Sequence, residues 1–237
     1  SAAGNFVGIY EDGNYADISL SAPHGENRVI ADIDPEAARQ TLARYEKTPA
    51  DRIYFTGIKA SAGDSLITLD SQRNIVEIFP SQLGAETSVQ GVAIQSDDDF
   101  PYLGYQSTVI LKAQQDNIVR ASTCGIKWAG YKNQINLEAV HGDNVVYGGG
   151  YGVRTYSPGF IRLHTEEGNN SITSDGTAME VNNWGEATLT ADSGDNVVRG
   201  KDYAALASQG GQITIDSPQG ANYLLADGTA VDIKCGG

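Results

Sequence analysis

The sequence predicts an all-β solenoid of about eight coils, and three observations lead there. Asparagine recurs at Asn117, Asn144, Asn170, Asn196 and Asn222, spaced 27, 26, 26 and 26 residues apart. Glycine keeps a fixed offset from it, two residues before at Gly142, Gly168, Gly194 and Gly220, and fifteen after at Gly159, Gly185 and Gly211. Between these marks apolar and polar residues alternate in short stretches. A fixed period of this length marks stacked units, each too small to bury its own apolar face. Alternation with period two marks half-buried strands.

Taken in order, Gly4-Asn5-Phe6-Val7 reads as a shortened first coil. Asp17-Ile18-Ser19-Leu20-Ser21-Ala22 through Asn27-Arg28-Val29 is in full register, and looser copies centre on Asn74-Ile75-Val76 and Asn117-Ile118-Val119. In residues 134–159, Ile135, Leu137 and Ala139 alternate with Asn136 and Glu138. The turn His141-Gly142-Asp143 leads to Asn144, then Val145-Val146 and Tyr151-Gly152-Val153, closing at Pro158-Gly159. Residues 160–185, 186–211 and 212–237 repeat the pattern. Each coil holds three short strands joined by corners, and seven steps at the inter-strand spacing make a rod about 34 Å long.

Asparagine suits such a corner in two ways. It tolerates left-handed backbone angles, and its amide bonds nearby backbone groups. Stacked amides can also hydrogen-bond from coil to coil, while the preceding glycine supplies a second positive-φ position. Asn27, Asn74, Asn117, Asn144, Asn170, Asn196 and Asn222 are therefore expected to be a structural ladder.

Composition narrows the function. The chain has 237 residues, 40% of them hydrophobic, enough for one continuous core. Its net charge of −14 repels phosphate backbones, which argues against nucleic-acid binding. No apolar run reaches the length of a membrane helix, so direct membrane insertion is not expected. Cys124 and Cys235 fall about four coils apart, or roughly 19 Å along the axis, whereas a disulfide needs Cα atoms within about 7 Å. The spacing argues against an intramolecular bridge.

Asparagine-cornered coils of about 26 residues, with Ser174-Asp175-Gly176-Thr177-Ala178-Met179 echoed by Ala226-Asp227-Gly228-Thr229-Ala230-Val231, resemble right-handed parallel β-helices. The likeness is to passenger domains of bacterial autotransporter adhesins and their filamentous-haemagglutinin-like relatives. It implies a pectin-lyase-like β-helix, a bacterial cell-surface or secreted location, and roles in adhesion, virulence or biofilm. The implied partner is a protein or glycan of a host or bacterial cell surface. It also implies a piece of a longer protein, because Cys235-Gly236-Gly237 falls where a further strand is expected.

The repeat is interrupted twice, at about 32–56 and 80–106, and insertions in a solenoid become loops on one face. Asp34 and Pro35 can start a helix, and Ala38, Leu42 and Tyr45 share a face before Thr48-Pro49. This predicts a short helix over 34–47. The second excess divides into 81–90, leaving at the same corner as the helix, and 96–105. In the latter, Asp97, Asp98 and Asp99 precede Phe100, Tyr102 and Tyr105, a set able to contact a cation, a sugar face or a basic partner.

Catalytic motifs are sparse. A glycosidase needs paired carboxylates, which Asp97, Asp98 and Asp99 could supply, but His141-Gly142 stands in an ordinary turn. Gly63-Asp64-Ser65 falls at the start of a repeat strand and lacks the following glycine of a serine-protease motif. Zinc spacings, a Walker loop and calcium-binding nonapeptides are missing, so no catalytic residue, metal or cofactor is expected. Aromatics on a sheet face can anchor a ligand, making Tyr131, Tyr156 and Trp184 contact candidates. The expected function is adhesion through a rigid face. The alternatives are a polysaccharide-degrading enzyme using the 97–99 acids, and a structural stalk.

Overall fold

The computed structural model describes residues 3–11, 17–31, 40, 52–60, 64–79, 87–94, 106–128, 132–156 and 158–234. Strand β1 (Ala3–Glu11) is followed by two coils of two strands each: β2 (Asp17–Ala31) with β3 (Arg52–Ala60), then β4 (Leu66–Ile78) with β5 (Thr87–Ile94). Five coils of three strands follow. They are β6 (Thr108–Ala113), β7 (Asn117–Ala121) and β8 (Cys124–Trp128); β9 (Gln134–Ala139), β10 (Asn144–Gly148) and β11 (Tyr151–Thr155); β12 (Phe160–Thr165), β13 (Asn170–Ser174) and β14 (Thr177–Val181); β15 (Glu186–Ala191), β16 (Asn196–Gly200) and β17 (Tyr203–Ser208); β18 (Gln212–Asp216), β19 (Asn222–Ala226) and β20 (Thr229–Lys234).

Every strand pairs in parallel with its counterpart one coil away, so the chain is an all-β solenoid. One sheet runs β1-β3-β5-β8-β11-β14-β17-β20. The other runs β18-β15-β12-β9-β6-β4-β7-β10-β13-β16-β19, with β2 on β4. The long β4 pairs with both β6 and β7, so later coils break into two wings what β4 spans as one strand. Alternate residues face inward: Leu69, Leu111, Leu137, Leu163 and Leu189 form one buried row, and Val76, Val119, Val146, Ile172 and Val198 another. Each such side chain stabilises the fold by roughly 1.5–3 kcal/mol. In the last coil the inward positions open to solvent, with Val231 50% and Ile233 72% exposed.

The asparagine ladder is continuous. The Nδ2 of Asn27 donates to Oδ1 of Asn74 at 3.1 Å, and Asn74, Asn117, Asn144, Asn170 and Asn196 each donate to the next member at 2.8–2.9 Å. The second amide proton goes to a carbonyl of the following coil, as in Asn117 to Glu138, Asn144 to His164 and Asn170 to Thr190. The residue before each asparagine adds an outer ladder. Oδ1 of Asp116, Asp143, Asn169 and Asp195 accepts from the backbone N–H one coil on, at Asp143, Asn169, Asp195 and Ala221.

Several expectations change. Asn117, Asn144, Asn170, Asn196 and Asn222 begin strands while Asn27 and Asn74 lie inside β2 and β4, all in ordinary extended conformation; among the described residues the positive-φ positions are Asp64, Lys132, Asn183, Trp184, Gln209 and Gly210. Asparagine is used for its amide, not for its backbone tolerance. The preceding glycines are required by proximity: a Cβ on Gly168 would lie 2.0 Å from the Gly142 carbonyl oxygen, and one on Gly194 2.0 Å from that of Gly168. Asn5 is no corner residue, because β1 belongs to the other sheet and aligns Asn5 with Tyr54. The first interruption ends before Arg52, where β3 begins, and the second contains β5. Of the helix expected over 34–47 only Gln40 is described, and it is helical. The acid–aromatic segment 96–105 and Tyr131 lie outside the described residues.

Asn170→Ala removes an acceptor from Asn144 and a donor from both Asn196 and the Thr190 carbonyl. It is predicted to cost about 2–4 kcal/mol in denaturant unfolding. Asn136→Ala, on the outward side of β9, is predicted to cost under about 0.5 kcal/mol.

Candidate binding surface

With the inward rows committed to packing, chemistry is left to the outward rows. The outward side of β11 carries Tyr151 and Arg154, and Tyr156 follows directly after the strand. On β11 Gly152 and Val153 are both buried and Arg154 turns out, in register with Lys127 on β8 and Glu180 on β14. The Arg154 guanidinium carbon lies 3.8 Å from the Tyr151 ring centroid and 4.4 Å from that of Tyr156. Its Nε is 2.6 Å from Oε2 of Glu180. Cation–π contact and a close ion pair, without hydrogen-bond geometry between Nε and Oε2, together position the guanidinium.

The network continues along the axis. Asn182 Nδ2 donates to Oε1 of Glu180 at 2.8 Å, and Ser208 Oγ donates to Oδ1 of Asn182. Asn183 Nδ2 donates to the Tyr156 carbonyl at 2.7 Å. These bonds pin the turn that carries Trp184. Gly185 N–H bonds the Asn182 carbonyl, with φ of 51° at Asn183 and 63° at Trp184, which is a type I′ turn. One coil on, the same turn is built from Gln209 and Gly210, φ 50° and 80°, closed by Gly211 N–H on Ser208.

Tryptophan is a poor residue for a left-handed position, where a Cβ costs about 1–2 kcal/mol. Trp184 is nonetheless 71% exposed, its ring laid across the Gly210 backbone, where a Cβ would meet the ring at 2.6 Å. A strained, exposed aromatic on a pinned turn is a feature that folding does not require. Tyr156 and Trp184 are thus brought to one end of a single network. Trp128 shares register with the core-facing Thr155.

Sequence reasoning missed Arg154 and Glu180, although their 26-residue separation is one period and places them side by side. It also missed Phe160 and Arg162, which with Asn136, Glu138 and Thr188 line a shallow depression of about 480 Å³ on the β9, β12 and β15 face. His164 faces outward on β12, with Nε2 3.3 Å from Asp192, as an ordinary surface pair. Ser65 is buried immediately before β4, as its repeat position requires. Among the described residues no cluster of His, Cys, Asp or Glu could hold a metal, and no helix is long and apolar enough to cross a membrane.

Burial pushes the Tyr156 hydroxyl up from 10.0 to about 12, with Arg154 opposing and Glu180 reinforcing the rise. It raises the Cys124 thiol from 9.0 to about 12, with Lys127 and Arg154 opposing. Cys124 is free and buried, its Sγ directed at the Ile126 carbonyl; Cys235 lies outside the described residues. No protein-family model, curated protein or solved structure matches the chain.

Both raised groups favour the neutral form in the folded state. Their contribution to stability is full below about pH 9 and is lost as pH rises toward 12. In a Cys235→Ser background, Cys124 is predicted to resist iodoacetamide at pH 9 and to react once the chain is unfolded in urea, as mass spectrometry would read directly.

Proposed function

We propose that the chain is a non-enzymatic adhesin module of a bacterial surface protein, built as a right-handed parallel β-helix of the pectin-lyase-like kind and similar to autotransporter passenger domains. The right hand is supported by the strong preference of parallel crossovers for it. The observation that carries the functional reading is Trp184, held exposed in a conformation that its counterpart Gly210 adopts without strain. An aromatic whose orientation is fixed before binding loses little entropy on contact, and tryptophan, tyrosine and arginine dominate binding hot spots. The partner is a protein or glycan of a host or bacterial cell surface. Tyr156 and Trp184 form its platform, with Arg154 and Glu180 beneath. The rigid stack of coils sets the spacing of the contacts.

The test compares wild type with Trp184→Gly on a glycan array and on immobilised matrix proteins. Wild type is predicted to bind saturably without turnover. Trp184→Gly is predicted to weaken that binding at least about tenfold, while thermal unfolding is unchanged or shifted upward by relief of the left-handed strain. Undiminished binding by Trp184→Gly contradicts the platform. Absence of binding by wild type favours a stalk, and release of sugar from any glycan favours an enzyme.

A further inference from the structure

A cavity separate from the Trp184 turn lies at the corner where the β10, β13, β16 and β19 strands turn into the other sheet. There Tyr147, Thr173, Asp175, Arg199, Lys201 and Asp227 line a half-open cavity of about 270 Å³. Tyr147, Thr173 and Arg199 occupy the same register position on adjacent strands. Asp175, Lys201 and Asp227 follow at 26-residue intervals on successive turns, so the cavity spans four coils, about 14 Å along the axis.

Arg28, Arg73, Lys112, Arg120, Arg154 and Lys234 all have a carboxylate within salt-bridge distance. Arg199 and Lys201 have none among the described residues, although the chain carries a net charge of −14. Lys127 and Arg162 also lack a carboxylate partner among the described residues, but it is Arg199 and Lys201 that line one cavity together. Two exposed cations share one cavity and neither closes on Asp175 or Asp227. Asp175 is instead engaged by the Tyr147 hydroxyl at 2.8 Å, which fixes the tyrosine ring at the wall. Phe79 stacks against that ring, centroids 6.3 Å apart and planes 26° from parallel.

We propose that this cavity binds a carboxylated sugar unit. A guanidinium and an ammonium set side by side match a carboxylate, the arginine in a bidentate fork. The Tyr147 ring offers an apolar face to a pyranose, while Asp227 accepts and Thr173 donates to ring hydroxyls. The acidic surface elsewhere opposes any anion at long range, but screening confines that repulsion to about 8 Å at physiological salt. The two cations therefore act at contact distance. The site stands independently of the adhesin reading, since it shares no residue with the Trp184 platform.

The whole chain is titrated calorimetrically at physiological salt with the methyl glycosides of glucuronate, galacturonate and N-acetylneuraminate. Methyl glucoside and sodium acetate serve as the neutral-sugar and bare-carboxylate probes. At least one acidic glycoside is expected to bind tenfold or more tightly than both controls. Arg199→Gln and Lys201→Gln are each expected to weaken it about tenfold without altering thermal unfolding, and Trp184→Gly to leave it unchanged. The proposal is overturned if no acidic glycoside binds more tightly than glucoside. It is also overturned if acetate binds as tightly as the best of them, if neither cation variant changes affinity, or if Trp184→Gly abolishes binding.

Discussion

A row of buried side-chain amides, each donating to the next, is the constraint from which the rest of the molecule follows. An amide buried without partners is costly, and one whose bonds are all made contributes about 1 kcal/mol per bond net. Each ladder asparagine from Asn74 to Asn196 meets both demands, giving one proton to the next asparagine and the other to a strand carbonyl of the next coil. A coil shifted by one residue would bury an apolar side chain at the ladder and leave two amides unsatisfied. The ladder thus sets register as well as stability, and every donor points the same way along the axis, an arrangement that favours mutual polarisation.

The corner is compact because the ladder draws the coils together. Glycine two residues earlier is the consequence, since a side chain there would enter the neighbouring turn. The aspartate or asparagine one residue earlier can cap the next coil's N–H because it sits at the same separation. Those three positions and the inward rows are committed to structure. The outward rows and the remaining corners are free of that duty, and it is there that Arg154 stacks on tyrosines, Trp184 accepts strain and Arg199 stands unpaired.

Much of this architecture was legible in the sequence, because period and alternation are one-dimensional signals. The reasons attached to the signals were less secure. Asparagine and glycine at a corner suggest unusual backbone angles, but here they answer to amide bonding and to close approach, which only the stacked neighbours reveal. Gly4-Asn5-Phe6-Val7 looked like a shortened first coil because a single asparagine before two apolar residues carries no information on which sheet it joins. The fusion of two strands in β2 and β4 was hidden for a related reason: the corner residues in those coils stay extended, and nothing local says so. Arg154 and Glu180 become partners only once a one-period offset is read as adjacency, and Trp184 stands out only when set against Gly210. The acids at Asp97, Asp98 and Asp99, with Phe100, Tyr102, Tyr105 and Tyr131, belong to segments outside the described residues.

The division between a committed ladder and free outward rows is tested most directly by proton exchange at the asparagine side chains themselves, followed by NMR. The Nδ2 protons of Asn117, Asn144 and Asn170 should exchange as slowly as the backbone amides of β10 and β13, while those of Asn136 on the outward side of β9 exchange at rates typical of an exposed amide. Equal, rapid exchange at all four would mean that the ladder is not a closed hydrogen-bonded row, and would contradict the account.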